Sequence, residues 1–82
     1  MVTEIDERIK VGVVFSGGGA NPAWFKWRGR RYTVKEITYT WQERVGESTL
    51  SFFSCSDNGN LFELVFDSKG LTWTLAKVYS EG

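Results

Sequence analysis

Apolar and polar side chains alternate along most of this chain with the period of a β-strand, and no segment repeats with the period of a helix. Ile9, Val11, Val13 and Phe15 alternate with Lys10, Gly12 and Val14, which predicts a first strand over Ile9–Phe15. Residues 1–8 are expected to be frayed, and residues 16–22, with three consecutive glycines, are expected to be a flexible loop. Two strands over Ala23–Trp27 and Arg30 to about Glu43 follow, joined across Arg28-Gly29. A two-residue turn there sets Phe25 opposite Tyr32 and Ala23 opposite Val34, so that Ala23, Phe25, Trp27, Tyr32 and Val34 share the core face. The apolar parity then switches to Ile37, Tyr39 and Trp41, which predicts a β-bulge near Lys35 or Glu36 that bends one long strand.

Leu50–Ser56 and Leu61–Phe66 flank Asp57-Asn58-Gly59-Asn60, and Asn-Gly predicts a type I′ turn because both residues tolerate positive φ. That register pairs Cys55 with Phe62, Phe53 with Leu64 and Ser51 with Phe66. The last strand, Leu71–Tyr79, follows Asp67-Ser68-Lys69-Gly70. A four-residue loop aligns Phe66 with Leu71, Leu64 with Trp73 and Phe62 with Leu75, keeping Phe62, Leu64, Phe66, Leu71, Trp73 and Leu75 together. The expected fold is all-β: a single antiparallel meander of five or six strands in one domain, strongly twisted or curled into a small barrel-like sheet. Its expected core is Val11, Val13, Phe25, Trp27, Val34, Tyr39, Trp41, Phe53, Phe62, Leu64, Phe66, Trp73 and Leu75.

With 82 residues the chain buries only about 60% of its unfolded surface. Thirteen aromatics supply the bulk that such a small core needs. Ten basic residues balance ten acidic ones, so no global field concentrates nucleic acid or anionic membrane, and any such binding must come from a local patch. The lack of histidine excludes a Ser-His-Asp or Cys-His machine, histidine-ligated metal and a histidine pH switch. Cys55 has no partner for an internal disulfide and reads as a small core residue rather than a nucleophile. A lone thiol and no apolar leader point to a reducing, cytoplasmic setting, and no apolar run reaches the roughly 20 residues of a membrane span. The glycines of residues 17–19 are not a phosphate loop, because Pro22 leads into β sequence where a phosphate loop opens onto a helix.

The candidate binding surface lies within Ala23–Val34, where four aromatics and four cations surround Gly29. The outer face of that hairpin carries Trp24, Lys26 and Arg31, with Arg28 and Arg30 at or beside the tip, and these five are the expected partner-binding residues. Two partner classes suit them. One is a protein, bound through an aromatic face and free strand edges. The other is a single-stranded nucleic acid, with Trp24 stacking on a base and the cations on phosphates. Glu36 and Glu63 are the only carboxylates that suggest acid–base work, and without histidine or a recognised spacing the chain is expected not to be an enzyme. No cofactor, metal, small-molecule ligand or membrane partner is expected.

The aromatic strands carry a resemblance. Phe25-Lys26-Trp27-Arg28-Gly29-Arg30-Arg31-Tyr32-Thr33-Val34, then Trp41, then Leu61-Phe62-Glu63-Leu64-Val65-Phe66-Asp67 and Trp73-Thr74-Leu75-Ala76-Lys77-Val78-Tyr79 resemble a family of small bacterial proteins of unknown function. These β segments also look like the C-terminal tail of some Y-family DNA-polymerase-like proteins of the mutagenesis cassette. The resemblance implies an accessory domain, with no catalytic residue carried over.

Overall fold

The computed structural model describes residues 1–80 and consists of seven strands with no helix among them. They are β1 (Val2–Ser16), β2 (Gly19–Trp27), β3 (Arg30–Thr33), β4 (Glu36–Val45), β5 (Ser48–Ser56), β6 (Leu61–Asp67) and β7 (Thr72–Tyr79). All pair antiparallel in one sheet ordered β3-β2-β1-β7-β6-β5-β4. The sheet is all-β as expected, but it has seven strands rather than five or six, and its ladder does not close into a barrel.

Two meanders, β1-β2-β3 and β4-β5-β6-β7, are held together by β1. Its first half pairs with β7, from Val2 opposite Tyr79 to Ile9 opposite Trp73. Its second half pairs with β2, from Lys10 opposite Lys26 to Ser16 opposite Gly19. Residues 2–8, expected to be frayed, are therefore a paired strand, with an irregularity at Asp6, where φ is 55°. The glycine segment is not a flexible loop either. Gly17 and Gly18 form a tight turn with φ of 58° and 79°, and β2 begins immediately after them. Lacking a Cβ, both glycines adopt the left-handed region that a two-residue hairpin turn requires.

The long strand expected over Arg30–Glu43 breaks at Val34 and Lys35. The Val34 amide donates to Ala23 O at 2.9 Å, whereas the Lys35 amide donates to Ser56 O at 2.8 Å. Successive amides of an extended chain point to opposite sides, so these two residues hand the chain from β2 to β5. They join the two edges of the sheet at one corner and force it to curl. The expected bulge lies further on, at Thr38, between Ile37 opposite Cys55 and Tyr39 opposite Ser54. Ile37 therefore faces the core, while Tyr39 and Trp41 turn to the outer face with Phe52.

The β5–β6 register is as expected, with Cys55 opposite Phe62, Phe53 opposite Leu64 and Ser51 opposite Phe66. Its turn is not type I′. Positive φ falls on Asn58 (76°) and not on Gly59, because Asp57 Oδ1 accepts the amides of Gly59 at 2.9 Å and Asn60 at 2.8 Å. The last strand begins at Thr72, leaving Leu71 exposed rather than on the core face. It lies two residues from the expected register where Phe66 pairs with Trp73 and Leu64 with Leu75; an irregularity between Glu63 and Leu64 makes the offset three at Phe62, which pairs with Val78. A slip of two preserves the face, so Trp73 and Leu75 still point inward.

The buried core is Ile9, Phe25, Cys55, Phe62, Leu64 and Leu75, and Val11, Trp27, Val34, Phe53 and Trp73 pack against it. Val13, Trp41 and Phe66 are half-buried outside this cluster, and Tyr39 is 66% exposed. Tyr39 and Trp41 thus leave the expected core because the bulge precedes them.

Candidate functional site

The β2–β3 hairpin forms as its sequence predicts. Phe25 lies opposite Tyr32 and Lys26 opposite Arg31, and Arg28 and Gly29 make the turn with φ of 51° and 77°. Its inner face is a lid. Phe25 stacks on Tyr32 with ring centroids 5.0 Å apart, and both meet Phe62 of β6 edge-on, at 5.0 and 5.4 Å.

The five expected binding residues do not form one patch. Arg28 folds back toward β1, its Nη2 2.6 Å from Glu7 Oε2, its Nε donating to Oε1 at 3.2 Å, and its guanidinium 4.7 Å over the Trp27 ring. Trp27 Nε1 donates to the same Glu7 oxygen at 2.9 Å. Arg28 first, and Trp27 second, hold the Glu7 carboxyl below its ordinary value of 4.5. Glu7 is therefore a latch tying the hairpin tip to β1, a role that an expected fraying of residues 1–8 conceals. Arg30 shares the inner side with Trp27 and sits 5.5 Å over Tyr32.

Trp24, Lys26 and Arg31 do share the outer face. The Trp24 indole lies across Gly12, where a Cβ would come within 2.0 Å of Nε1, and the Arg31 guanidinium lies 4.6 Å from the ring centroid. Only glycine at position 12 lets the ring approach the backbone this closely. Lys10 stands opposite Lys26, which stands opposite Arg31, so β1, β2 and β3 present a row of three exposed cations. Lys10 was missed because its neighbour on β2 follows from the tight glycine turn and the irregularity at Val13.

Two aromatic features also escaped the strand pattern. Beyond the end of β3 the sheet opens into a groove of about 610 Å³, floored by Phe53, Phe66 and Trp73 and walled by Val13, Ala20 and Asn21 on one side and Thr40 and Gln42 on the other. On the outer side of β4, Tyr39, Trp41 and Phe52 form a ladder with centroids 5.4 and 4.9 Å apart.

The remaining candidates lie apart from one another. Glu36 on β4 and Glu63 on β6 are separated by β5, so they are not directly opposed. Cys55 is fully buried, and burial pushes its thiol up to about 12, so it stays protonated at neutral pH. Among the described residues no three His, Cys, Asp or Glu side chains gather as a metal site, and there is no helix long and apolar enough to cross a membrane.

The profile of the domain of unknown function DUF6504 matches residues 1–51, more than half of the chain. The chain belongs to the DUF6504 family. The matched segment of this DUF6504 domain contains the β2–β3 hairpin and all of β4 but stops before the groove floor. No curated protein and no solved structure matches the chain.

Proposed function

We propose that this DUF6504 domain is a non-enzymatic protein-interaction module that takes an extended peptide as an added strand along β4, with apolar side chains of the peptide in the Phe53-Phe66-Trp73 groove. One observation carries this reading: the groove lies between two strand edges that lack partners. β4 ends the sheet, so one edge of its ten residues is unpaired, and Ile37–Gln42 in its middle is uncharged. Across the groove, β2 is covered by β3 only from Trp24 to Trp27, with Ala23 O taken by the Val34 amide, which leaves Gly19–Pro22 unpaired on that side. Free backbone donors and acceptors on a strand edge select another strand, and an apolar floor beside them selects its side chains. The opposite edge, β3, is only four residues long and carries Arg30 and Arg31, features that deter pairing.

The test is selection of displayed peptides on the full chain, followed by amide exchange and chemical-shift mapping. Selected peptides should protect amides of β4 and of residues 19–21. Thr40→Lys with Gln42→Lys should weaken them about tenfold or more by placing unpaired charge in the groove, with no change in Tm. Failure to select a binder, peptides that map elsewhere, or a concentration-dependent dimer protecting β4 instead would each overturn the reading.

A further inference from the structure

We infer that the outer face of β1, β2 and β3 binds the phosphate backbone of a single-stranded nucleic acid, with Arg31 presenting its free face to an unpaired base. This surface lies outside the groove and does not depend on the peptide reading.

Lys10, Lys26 and Arg31 occupy directly opposed positions on three adjacent strands. Neighbouring strands lie about 4.8 Å apart, so the row spans roughly 10 Å. Like charges placed directly opposite one another destabilise a sheet. None of the three is offset by a carboxylate: the ion pairs among the described residues are Arg28 with Glu7 and Lys69 with Glu47. All three side chains are exposed. A polyanion laid across the row removes the repulsion and releases its own counterions.

Beside the row, Trp24 is held between Gly12 and Arg31. Half-buried against Gly12 and with the Arg31 guanidinium over its ring, the indole is a poorer platform for a base than the simplest reading of an aromatic hairpin supposes. It serves instead to orient the Arg31 guanidinium, whose outward plane is the one available to stack. Bases stack on arginine planes as well as on aromatic rings, and only an unpaired base exposes its face. This favours a single strand over a duplex. A lipid surface is less suited: Phe15, the most exposed aromatic near this face at 81%, lines the groove at the far end of β1 rather than flanking the cations.

Fluorescence anisotropy of a labelled oligothymidylate with the full chain, across a salt series, tests this. Three phosphate contacts predict a log–log salt slope of about −2, from roughly −0.7 per phosphate on a single strand. Lys26→Glu with Arg31→Glu should lower affinity at least about tenfold. Arg28→Gln, which removes a cation already engaged by Glu7, should leave it within about threefold. Lys26→Glu alone should fold at least as stably as wild type, because it puts an acid between two cations. No saturation up to roughly 100 μM protein at low salt, a slope near zero, equal affinity for duplex, binding to anionic vesicles but not to the oligonucleotide, or an equal loss in Arg28→Gln would overturn the inference.

Discussion

Two halves of the same inner sheet face behave differently. Under the β2–β3 hairpin, Phe25 and Tyr32 close over Phe62, and Leu64 and Leu75 have no exposed surface. Past the end of β3, Phe53, Phe66 and Trp73 carry comparable apolar bulk but lie beneath an open groove. Aromatic content does not distinguish the halves. Coverage does, and it is set by the four-residue length of β3 and by the hand-over at Val34 and Lys35. The covered half supplies stability, and the uncovered half retains apolar surface for recognition.

The strongest test of this contrast removes one side chain from each half. Leu64→Ala should cost about 2–5 kcal/mol and Phe62→Ala about 3–5 kcal/mol in chemical denaturation, whereas Phe66→Ala should cost less than half the Phe62 value. Equal losses for the two phenylalanines would break the distinction. Next in size, Gly18→Ala at the tip of the groove wall should cost about 1–2 kcal/mol, because φ there is +79°. Gly59→Ala should cost only a few tenths, since φ at Gly59 is ordinary and its nearest neighbour is 3.5 Å away.

A smaller effect concerns the latch that fastens the lid. The folded state holds the Glu7 carboxyl below 4.5, so its contribution is complete above that pH and is lost as pH falls through the lower folded value. Glu7→Gln should flatten the acid limb of the stability profile in that window and leave the acid dependence due to Asp67, whose carboxyl is held below 3.8 by the amides of Lys69 and Gly70. An unchanged profile in Glu7→Gln would show that Arg28 and Trp27 do not hold the tip. As small as the Gly59→Ala effect, the change for Tyr39→Ala should be no more than about 0.5 kcal/mol, because the ring stands outside both halves.

Local chemistry made parts of this arrangement legible in the sequence. Alternation and the Arg28-Gly29 turn gave the pairing of Phe25 with Tyr32, and Asp57-to-Asn60 gave the β5–β6 register. The failures share a physical origin in long-range pairing. Thr3, Glu4 and Glu7 show no strand pattern of their own and become ordered only because Val78, Lys77 and Leu75 lie opposite them. The parity switch after Val34 signalled an extra residue, but the side-chain pattern alone could not say whether it falls before or after Ile37, and that choice decides which side Tyr39 and Trp41 occupy. Of the candidate surface, Trp24, Lys26 and Arg31 were readable as one face, whereas the Lys10 neighbour, the engagement of Arg28 by Glu7 and the groove between β2 and β4 depend on the curled tertiary arrangement.

The role of β1 as the seam between two meanders also bears on the route to the folded state. Pairs such as Val2 with Tyr79 join opposite ends of the chain, and loop-closure entropy must be met before any of them yields a contact. The hairpins from β4 to β7 close only short loops and can form first. Conservative substitutions in the first half of β1 should then chiefly accelerate unfolding, whereas those in the β5–β6 hairpin should slow folding. With so much of its pairing non-local, the domain is expected to fold on the millisecond-to-second scale of all-β proteins rather than in microseconds.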